Sequence, residues 1–155
     1  MGFIEAICIS RKKGVAKKPV ETAHFISDWG LNGDAHAGRW HRQVSLLAGE
    51  SIDRMKQKLP QLAPGAFAEN LVVRGLDLSA VQVGDRLKIA DIILLEVTQI
   101  GKECHTACAI RTLVGDCIMP REGIFARVVK GGIVRAGDPI HKISAEFKIT
   151  LIQPE

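Results

Sequence analysis

The chain has 155 residues, a length typical of one domain, with 46% hydrophobic and 25% charged residues. This composition indicates a compact globular domain and argues against disorder, collagen-like repeats and a disulfide scaffold. The net charge is +4, but with only 5% aromatic residues and no tyrosine the chain lacks the features typical of nucleic-acid binding, so no nucleic-acid partner is expected.

Most predicted elements are strands, because β-branched and apolar residues recur in short runs separated by glycine-containing turns. In chain order, these runs lie at 3–10, 20–26, 44–47, 71–74, 86–90, 92–99, 124–129 and 138–143. Residues 147–151 alternate apolar and polar side chains, which predicts a strand with one buried and one solvated face. Short strands at this spacing favour a mostly β closed barrel or a sandwich over a parallel sheet.

Two segments have helical periodicity instead. In segment 48–58, apolar residues recur at steps of three and four, which predicts a helix that packs on the core. A second helix is predicted over 104–114. Its apolar stripe would occupy one face, and Cys104, Cys108 and Arg111 would share the other face.

A basic segment follows the first predicted strand. It contains five cations and no acid: Arg11, Lys12, Lys13, Lys17 and Lys18. A run of like charges in a short connection is usually a solvated loop between two strands. The alternative is a mobile basic flap that attracts an anionic ligand or an acidic partner protein.

Neither a membrane span nor an export signal is expected. The longest apolar stretches, at 4–9 and 92–95, fall far short of the roughly 18 residues that cross a bilayer. The N-terminal MGFIEAICIS has no leading positive cluster, unlike a secretory signal. We therefore expect one domain over residues 1–155 in the cytoplasm, where thiols are mostly reduced.

The four cysteines fall into two groups. Cys8 and Cys117 lie in apolar patterns and are interpreted as small buried hydrophobic residues. Cys104 would begin a helix beside Lys102, and both a helix N-terminus and a nearby cation stabilise the thiolate. It is therefore a candidate nucleophile or soft-metal ligand, although the negative charge of Glu103 acts in the opposite direction.

The spacing Cys104-His105-x-x-Cys108 also suggests a zinc site, which Cys117 or His141 could complete. A structural zinc site normally supplies two close pairs of ligands, and this chain has only one candidate pair. Iron–sulfur ligation has still less support, since no third cysteine stands at a ferredoxin-like spacing. A zinc-stabilised or purely structural interaction module remains the alternative to a catalytic or cofactor-binding domain.

Two further segments have the composition of ligand-binding loops. Residues 33–42, GDAHAGRWHR, combine glycines, histidines and arginines without helical or strand period. Arg39 and Arg42 offer planar donor groups suited to phosphate, and backbone N–H groups beside glycine add donors. The alternative is a turn whose histidines bond local carbonyls. In the segment 64–70, Asn70 could hold a ligand amide or cap a turn.

Taken together, these segments resemble the MOSC family, named after the C-terminal domain of molybdenum cofactor sulfurase. The matching segments are GDAHAG at 33–38, VSLLAGES at 44–51, PGAFAENL at 64–71, LEVTQIGKECH at 95–105 and GIFARVVKGGIVRAGD at 123–138. The resemblance implies a closed, mostly β barrel, similar to the pyruvate kinase barrel, with two or three short helices.

The resemblance also implies a ligand, the molybdenum cofactor or its tungsten analogue, which is a phosphate-bearing pterin dithiolene. It implies that Cys104 either ligates molybdenum or carries a persulfide received from a pyridoxal-phosphate cysteine desulfurase, and a thiolate suits both roles. Cys108 would then be a resolving thiol, closing a disulfide with Cys104 after sulfur release, or a second metal ligand. The family commonly has proline before this cysteine, where this chain has Glu103.

Finally, the resemblance implies which residues surround the phosphate and pterin: His36, Arg39, Asn70, Lys102, His105 and Arg111. The expected function is cofactor sulfuration or delivery, with sulfur transfer or a component of a molybdenum-dependent oxidoreductase as the activity. The expected partner is a pyridoxal-phosphate cysteine desulfurase or a molybdoenzyme.

Overall fold

The computed structural model describes residues 1–103 and 117–143. In chain order, its strands are β1 (Gly2–Ile9), β2 (Lys18–Val20), β3 (Thr22–Ile26), β4 (Gly30–Leu31), β5 (Val44–Ala48), β6 (Leu71–Arg74), β7 (Arg86–Ile89), β8 (Ile93–Ile100), β9 (Ile124–Lys130), β10 (Gly132–Arg135) and β11 (Pro139–Ile143). Its helices are α1 (Gly49–Lys56) and α2 (Met119–Glu122), and a short 3-10 helix covers Leu78–Ala80.

Seven strands close into a barrel within these described ranges. Around the barrel the order is β1, β11, β7, β8, β9, β5, β6 and back to β1. β5 and β6 run parallel, while the other neighbouring pairs in the barrel are antiparallel. β2 pairs with the last residues of β1, and β10, β3 and β4 form a separate three-stranded sheet. The predicted closed β-barrel is confirmed.

The core follows from side-chain alternation along the barrel strands. On β8, Ile93, Leu95 and Val97 are buried, whereas the residues between them are partly exposed. This period of two places every second side chain on the same face of a strand. A second apolar cluster, which includes Ile52 of α1 and Met119 of α2, packs the helices against the outside of β5 and β6. Both helices are therefore anchored by burial of their apolar faces.

The predicted strands match the observed ones closely, with three differences. The run 20–26 divides at Glu21 into β2 and β3, because the chain there leaves the edge of the barrel and enters the second sheet. β4 and β10 were not predicted, since both adjoin glycines that favour turns.

The helix predicted over 48–58 is observed as α1, while the segments 104–114 and 147–151 lie outside the described residues. Among the described helices, none combines the length and apolar character needed to span a membrane.

Candidate functional site

The candidate site lies at the end of β1, where the loop of residues 33–42 meets the basic segment 11–18. The loop is fixed to the strand by its backbone, since Ala35 N–H donates to the Ser10 carbonyl at 2.7 Å. Asp34 adds a second tie, because its Oδ1 accepts a hydrogen bond from Ser10 N–H at 3.1 Å. Residues 24 positions apart in the chain are thereby held together.

A buried ion pair lies beneath this loop. Lys17 Nζ is 2.7 Å from Asp34 Oδ1, and both side chains are 0% exposed. A buried charge is tolerated only when it is paired and hydrogen-bonded. Lys17 meets this condition, since its ammonium also donates to Ser10 Oγ at 3.3 Å and contacts His36 Nδ1 at 3.0 Å.

His36 is the half-buried imidazole above the ion pair. Its backbone N–H donates to Asp34 Oδ2 at 3.2 Å, and its carbonyl accepts from Trp40 Nε1 at 2.8 Å. Burial and the positive charges of Lys17, Lys13 and Lys102 lower the pKa of His36 to about 4, although Asp34 acts in the opposite direction. The imidazole is therefore neutral at pH 7.

Trp40 forms an aromatic platform beside His36. The two rings are nearly parallel, with 9° between their planes and 6.5 Å between their centroids. Lys13 Nζ lies 5.1 Å and Arg42 Cζ 4.8 Å from the centre of the indole ring, within cation–π range. Arg42 Nε is buried and has no hydrogen-bond partner among the described residues. Two positively charged side chains therefore lie over the Trp40 ring, and one of them has an N–H donor without a partner among the described residues.

Lys102 brings the chain after β8 to the same place. Its charge contributes to the lowered pKa of His36. The backbone here is anchored on the α2 region, because Gly101 N–H donates to the Gly123 carbonyl at 2.7 Å and Lys102 N–H to the Pro120 carbonyl at 3.1 Å. The first described range ends at residue 103, directly after Lys102, and so close to the cationic cluster.

The predicted site residues have different outcomes. His36 and Lys102 come together as described above, and Arg39 is an exposed residue of the same loop. The four predicted residues after position 103 lie outside the described residues, so their roles stay predictions: Cys104, His105, Cys108 and Arg111. Among the described residues, no group of three or more histidine, cysteine, aspartate or glutamate side chains could hold a metal ion.

Asn70 has a structural role that differs from the predicted ligand contact and from the turn cap. It is 0% exposed. Its Oδ1 accepts from Ser45 N–H at 3.0 Å, and its Nδ2 donates to the Cys8 carbonyl at 3.1 Å. The amide therefore links β5 to β1 inside the protein. We infer that it stabilises the position of β1, the strand that leads into the site.

We expect Asn70→Ala to lower the free energy of unfolding by about 2 to 3 kcal/mol, because it leaves the buried Ser45 N–H and Cys8 carbonyl without their partner. Urea unfolding followed by circular dichroism measures the change. Asn32→Ala, at an exposed loop position, is the control and should change stability by less than about 0.5 kcal/mol. An equal effect of the two substitutions would contradict the role assigned to Asn70.

Buried ionisable groups continue beneath Lys17. Glu69 is 0% exposed and accepts backbone hydrogen bonds from Gly65 at 2.7 Å and Phe67 at 3.0 Å, yet burial raises its pKa. Burial also raises the pKa of Cys8 to about 12, with the Glu69 carboxylate acting in the same direction. The prediction that Cys8 is a buried hydrophobic residue is confirmed, whereas Cys117 is half-buried against the second apolar cluster.

The prediction of a solvated basic loop is confirmed for four of its five cations, Arg11, Lys12, Lys13 and Lys18, which are exposed. It is wrong for Lys17, which is 3% exposed overall. No local signal distinguishes Lys17 from Lys18, because the partners that allow its burial come from other segments. Asp34 is likewise a site residue that the sequence pattern does not distinguish, beyond its place in a glycine-flanked loop.

Comparisons with known proteins agree with this architecture. The sequence model of the MOSC domain family matches residues 33–141 of this chain. YuaD from Bacillus subtilis is 20% identical, with a TM-score of 0.75 over 92% of this chain and 96% of that chain. YiiM from Geobacillus stearothermophilus is 19% identical, with a TM-score of 0.69 over 96% of this chain and 82% of that chain. A search of curated proteins found no match. At these identities, the structural neighbours show the fold alone.

Proposed function

The chain belongs to the MOSC domain family, and from this premise we propose that it binds the molybdenum cofactor and presents Cys104 to it. The family is associated with binding or sulfuration of this cofactor. In the proposal, the cationic cluster around His36 holds the anionic part of the cofactor. Cys104 acts at the metal end, as a molybdenum ligand or as a persulfide carrier in cofactor sulfuration or delivery.

The observation that carries the proposal is the convergence of cations from three segments on His36. Lys17 contacts the imidazole directly, and Lys13 and Lys102 are near enough to lower its pKa. Arg42 adds a guanidinium on the Trp40 platform. Positive groups held together by the fold attract a phosphate, which the ammonium and guanidinium groups can bind through charge-assisted hydrogen bonds.

The described donor set suits the phosphate of the cofactor. Arg42 Nε is a buried donor without a partner among the described residues, and such a group is costly unless a ligand accepts its hydrogen bond. In this proposal Lys13, Arg42 and Lys102 hold the phosphate, while His36 donates to a ligand oxygen. Arg39, exposed on the loop, extends the same positive surface.

The metal end requires a different chemistry, because molybdenum in the cofactor is bound by sulfur and a soft thiolate is a suitable further ligand. When bound, the cofactor supplies a metal centre that accepts a sulfur ligand. Cys104 lies two residues beyond Lys102, whose positive charge favours the thiolate form. His105 and Arg111, in the same segment, are assigned to cofactor contact.

In the carrier role, the Cys104 thiolate attacks the outer sulfur of a persulfide on a pyridoxal-phosphate cysteine desulfurase. A new sulfur–sulfur bond forms on Cys104, and the desulfurase cysteine leaves as its thiolate, so no external oxidant is needed. If the Cys108 thiolate then attacks the inner sulfur of that persulfide, a Cys104–Cys108 disulfide forms and hydrosulfide leaves. A molybdoenzyme is the proposed recipient of the cofactor.

The test combines elemental analysis with intact mass on the protein isolated from cells that make the cofactor, together with Cys104→Ala and the control Cys117→Ala. The ligand role predicts molybdenum in wild type and in the control but not in Cys104→Ala. The carrier role predicts that incubation with a cysteine desulfurase and cysteine adds one sulfur atom to wild type and to the control only.

The proposal fails if wild type contains no molybdenum and gains no sulfur, or if Cys104→Ala retains both properties in full. Stoichiometric zinc, with loss of folded structure on chelation, would instead support the structural alternative. Thermal unfolding of each variant establishes that a lost signal does not reflect a lost fold.

A further inference from the structure

We propose that Lys17 is a positioning residue that holds His36 as a neutral imidazole with its proton on Nε2, so that His36 donates a hydrogen bond to an anionic oxygen of the ligand. The inference rests on the proposed function for the identity of that ligand. It assigns to Lys17, within the basic segment, a role separate from that of its exposed neighbours.

The tautomer follows from the count of donors and acceptors around Lys17. A lysine ammonium has three N–H donors and no acceptor. Within the described part of the chain its three partners are Asp34 Oδ1 at 2.7 Å, Ser10 Oγ at 3.3 Å and His36 Nδ1 at 3.0 Å. Because an ammonium only donates, Nδ1 must act as the acceptor. The ring proton is then on Nε2.

The backbone of His36 is fixed from both sides, and the contact of Nδ1 with Lys17 orients the ring. Asp34 holds the Lys17 ammonium through Oδ1 and the His36 backbone N–H through Oδ2 at 3.2 Å. On the other side, the Trp40 indole donates to the His36 carbonyl at 2.8 Å. One carboxylate thus positions both the histidine and the cation that sets its tautomer, and little rotational freedom remains to be lost on binding.

The charged groups facing His36 keep it neutral. Protonation of Nδ1 would point an N–H at the Lys17 ammonium and add a positive charge beside Lys13 and Lys102. Burial and these three lysines lower the pKa of His36 to about 4. Asp34 raises this pKa, but its effect is smaller than that of burial and smaller than that of Lys17. The ring therefore donates through Nε2–H at every pH well above that value.

This arrangement makes the contribution of His36 to anion binding independent of pH over the physiological range. An ordinary histidine gains a charge as the pH falls through about 6.5, so its affinity for anions rises there. Here lysine and arginine side chains supply the positive charge, and His36 supplies a directed hydrogen-bond donor. His36 itself would then add no pH dependence to oxyanion binding around pH 6.5.

The first measurement uses the wild-type protein alone. Long-range nitrogen–proton correlation spectra of the histidines report the tautomer and pKa of each ring, and His36→Gln assigns the His36 signals. We expect a neutral Nε2–H form of His36 from about pH 5.5 to pH 8. A ring with its proton on Nδ1, or a pKa near the usual 6.5, would overturn the inference without touching the proposed function.

The second measurement uses Lys17→Met/Asp34→Asn, which removes both buried charges together, with Lys18→Met as the matched control. In the double variant we expect the pKa of His36 to rise, because the lowering effect of Lys17 exceeds the raising effect of Asp34, and we expect its Nδ1–H tautomer to become populated. The control should leave both unchanged. An unaltered His36 in the folded double variant would refute the role of Lys17.

Sulfate, whose charge is constant over this range, is the binding probe in calorimetric titrations. The ratio of the sulfate affinities of wild type and His36→Gln should change by less than about twofold between about pH 5.5 and pH 8, whereas the affinity of the double variant should rise relative to both toward the lower pH. A pH dependence of the wild type that His36→Gln abolishes would overturn the inference. The expected tautomer in a protein that does not bind sulfate would support Lys17 as the positioning residue and count against the proposed anion site.

Discussion

Asp34→Asn is expected to lower the free energy of unfolding by about 3 to 5 kcal/mol, because it leaves the Lys17 ammonium buried without its counter-charge. Both side chains are 0% exposed, so water cannot replace the lost carboxylate. The substitution also weakens the acceptor for Ser10 N–H and His36 N–H. Urea unfolding at pH 7, followed by circular dichroism and tryptophan fluorescence, measures the loss.

The control is Lys17→Met/Asp34→Asn, in which neither member of the ion pair is left buried without the other. Replacing both members of a buried ion pair is often close to neutral. We therefore expect this double variant to regain most of the stability that Asp34→Asn loses. If the double variant is as unstable as the single one, the ion pair is not the source of the loss.

Gly65→Ala is expected to destabilise the protein by about 4 kcal/mol or more, an unusually large effect for one methyl group. Gly65 has a φ of +91°, and an added Cβ would overlap the Lys17 carbonyl oxygen and lie 2.7 Å from its carbon. Lys17 N–H donates to the Gly65 carbonyl at 2.8 Å, so the two backbones cannot separate without breaking this bond. Thermal and urea unfolding provide the measurement.

Gly14→Ala separates the two causes of that loss. Gly14 also has a positive φ of +76°, but an added Cβ would meet nothing within 4 Å. It should cost only the backbone strain, about 1 to 2 kcal/mol. Equal effects of the two substitutions would mean that the close approach of Gly65 to Lys17 contributes nothing. A larger effect of Gly65→Ala would show that the loop of residues 64–70 supports the position of Lys17.

The loops that form the candidate site were predictable from the sequence, but the hydrogen bonds and the ion pair that join them were not. The polar, glycine-flanked segment 33–42 marked His36 as a candidate because such a composition suits neither a helix nor a strand. The sequence also indicates Asn70 as a candidate, but its burial between β1 and β5 depends on a strand order that no local pattern contains. A buried amide and a ligand-binding amide look the same in a sequence, because the difference lies in which partners the fold supplies.

The amino-acid sequence by itself determined the strands of the barrel, because side-chain alternation and glycine turns are local properties of the chain, and its ordered motifs indicated the family. Only the tertiary structure decided which of two adjacent lysines enters the interior. Lys17 is buried because Asp34, Ser10 and His36 arrive from other segments to satisfy its charge, whereas Lys18 remains exposed. The free energy of burying a charge depends on such distant partners, and they are brought together only when the barrel closes.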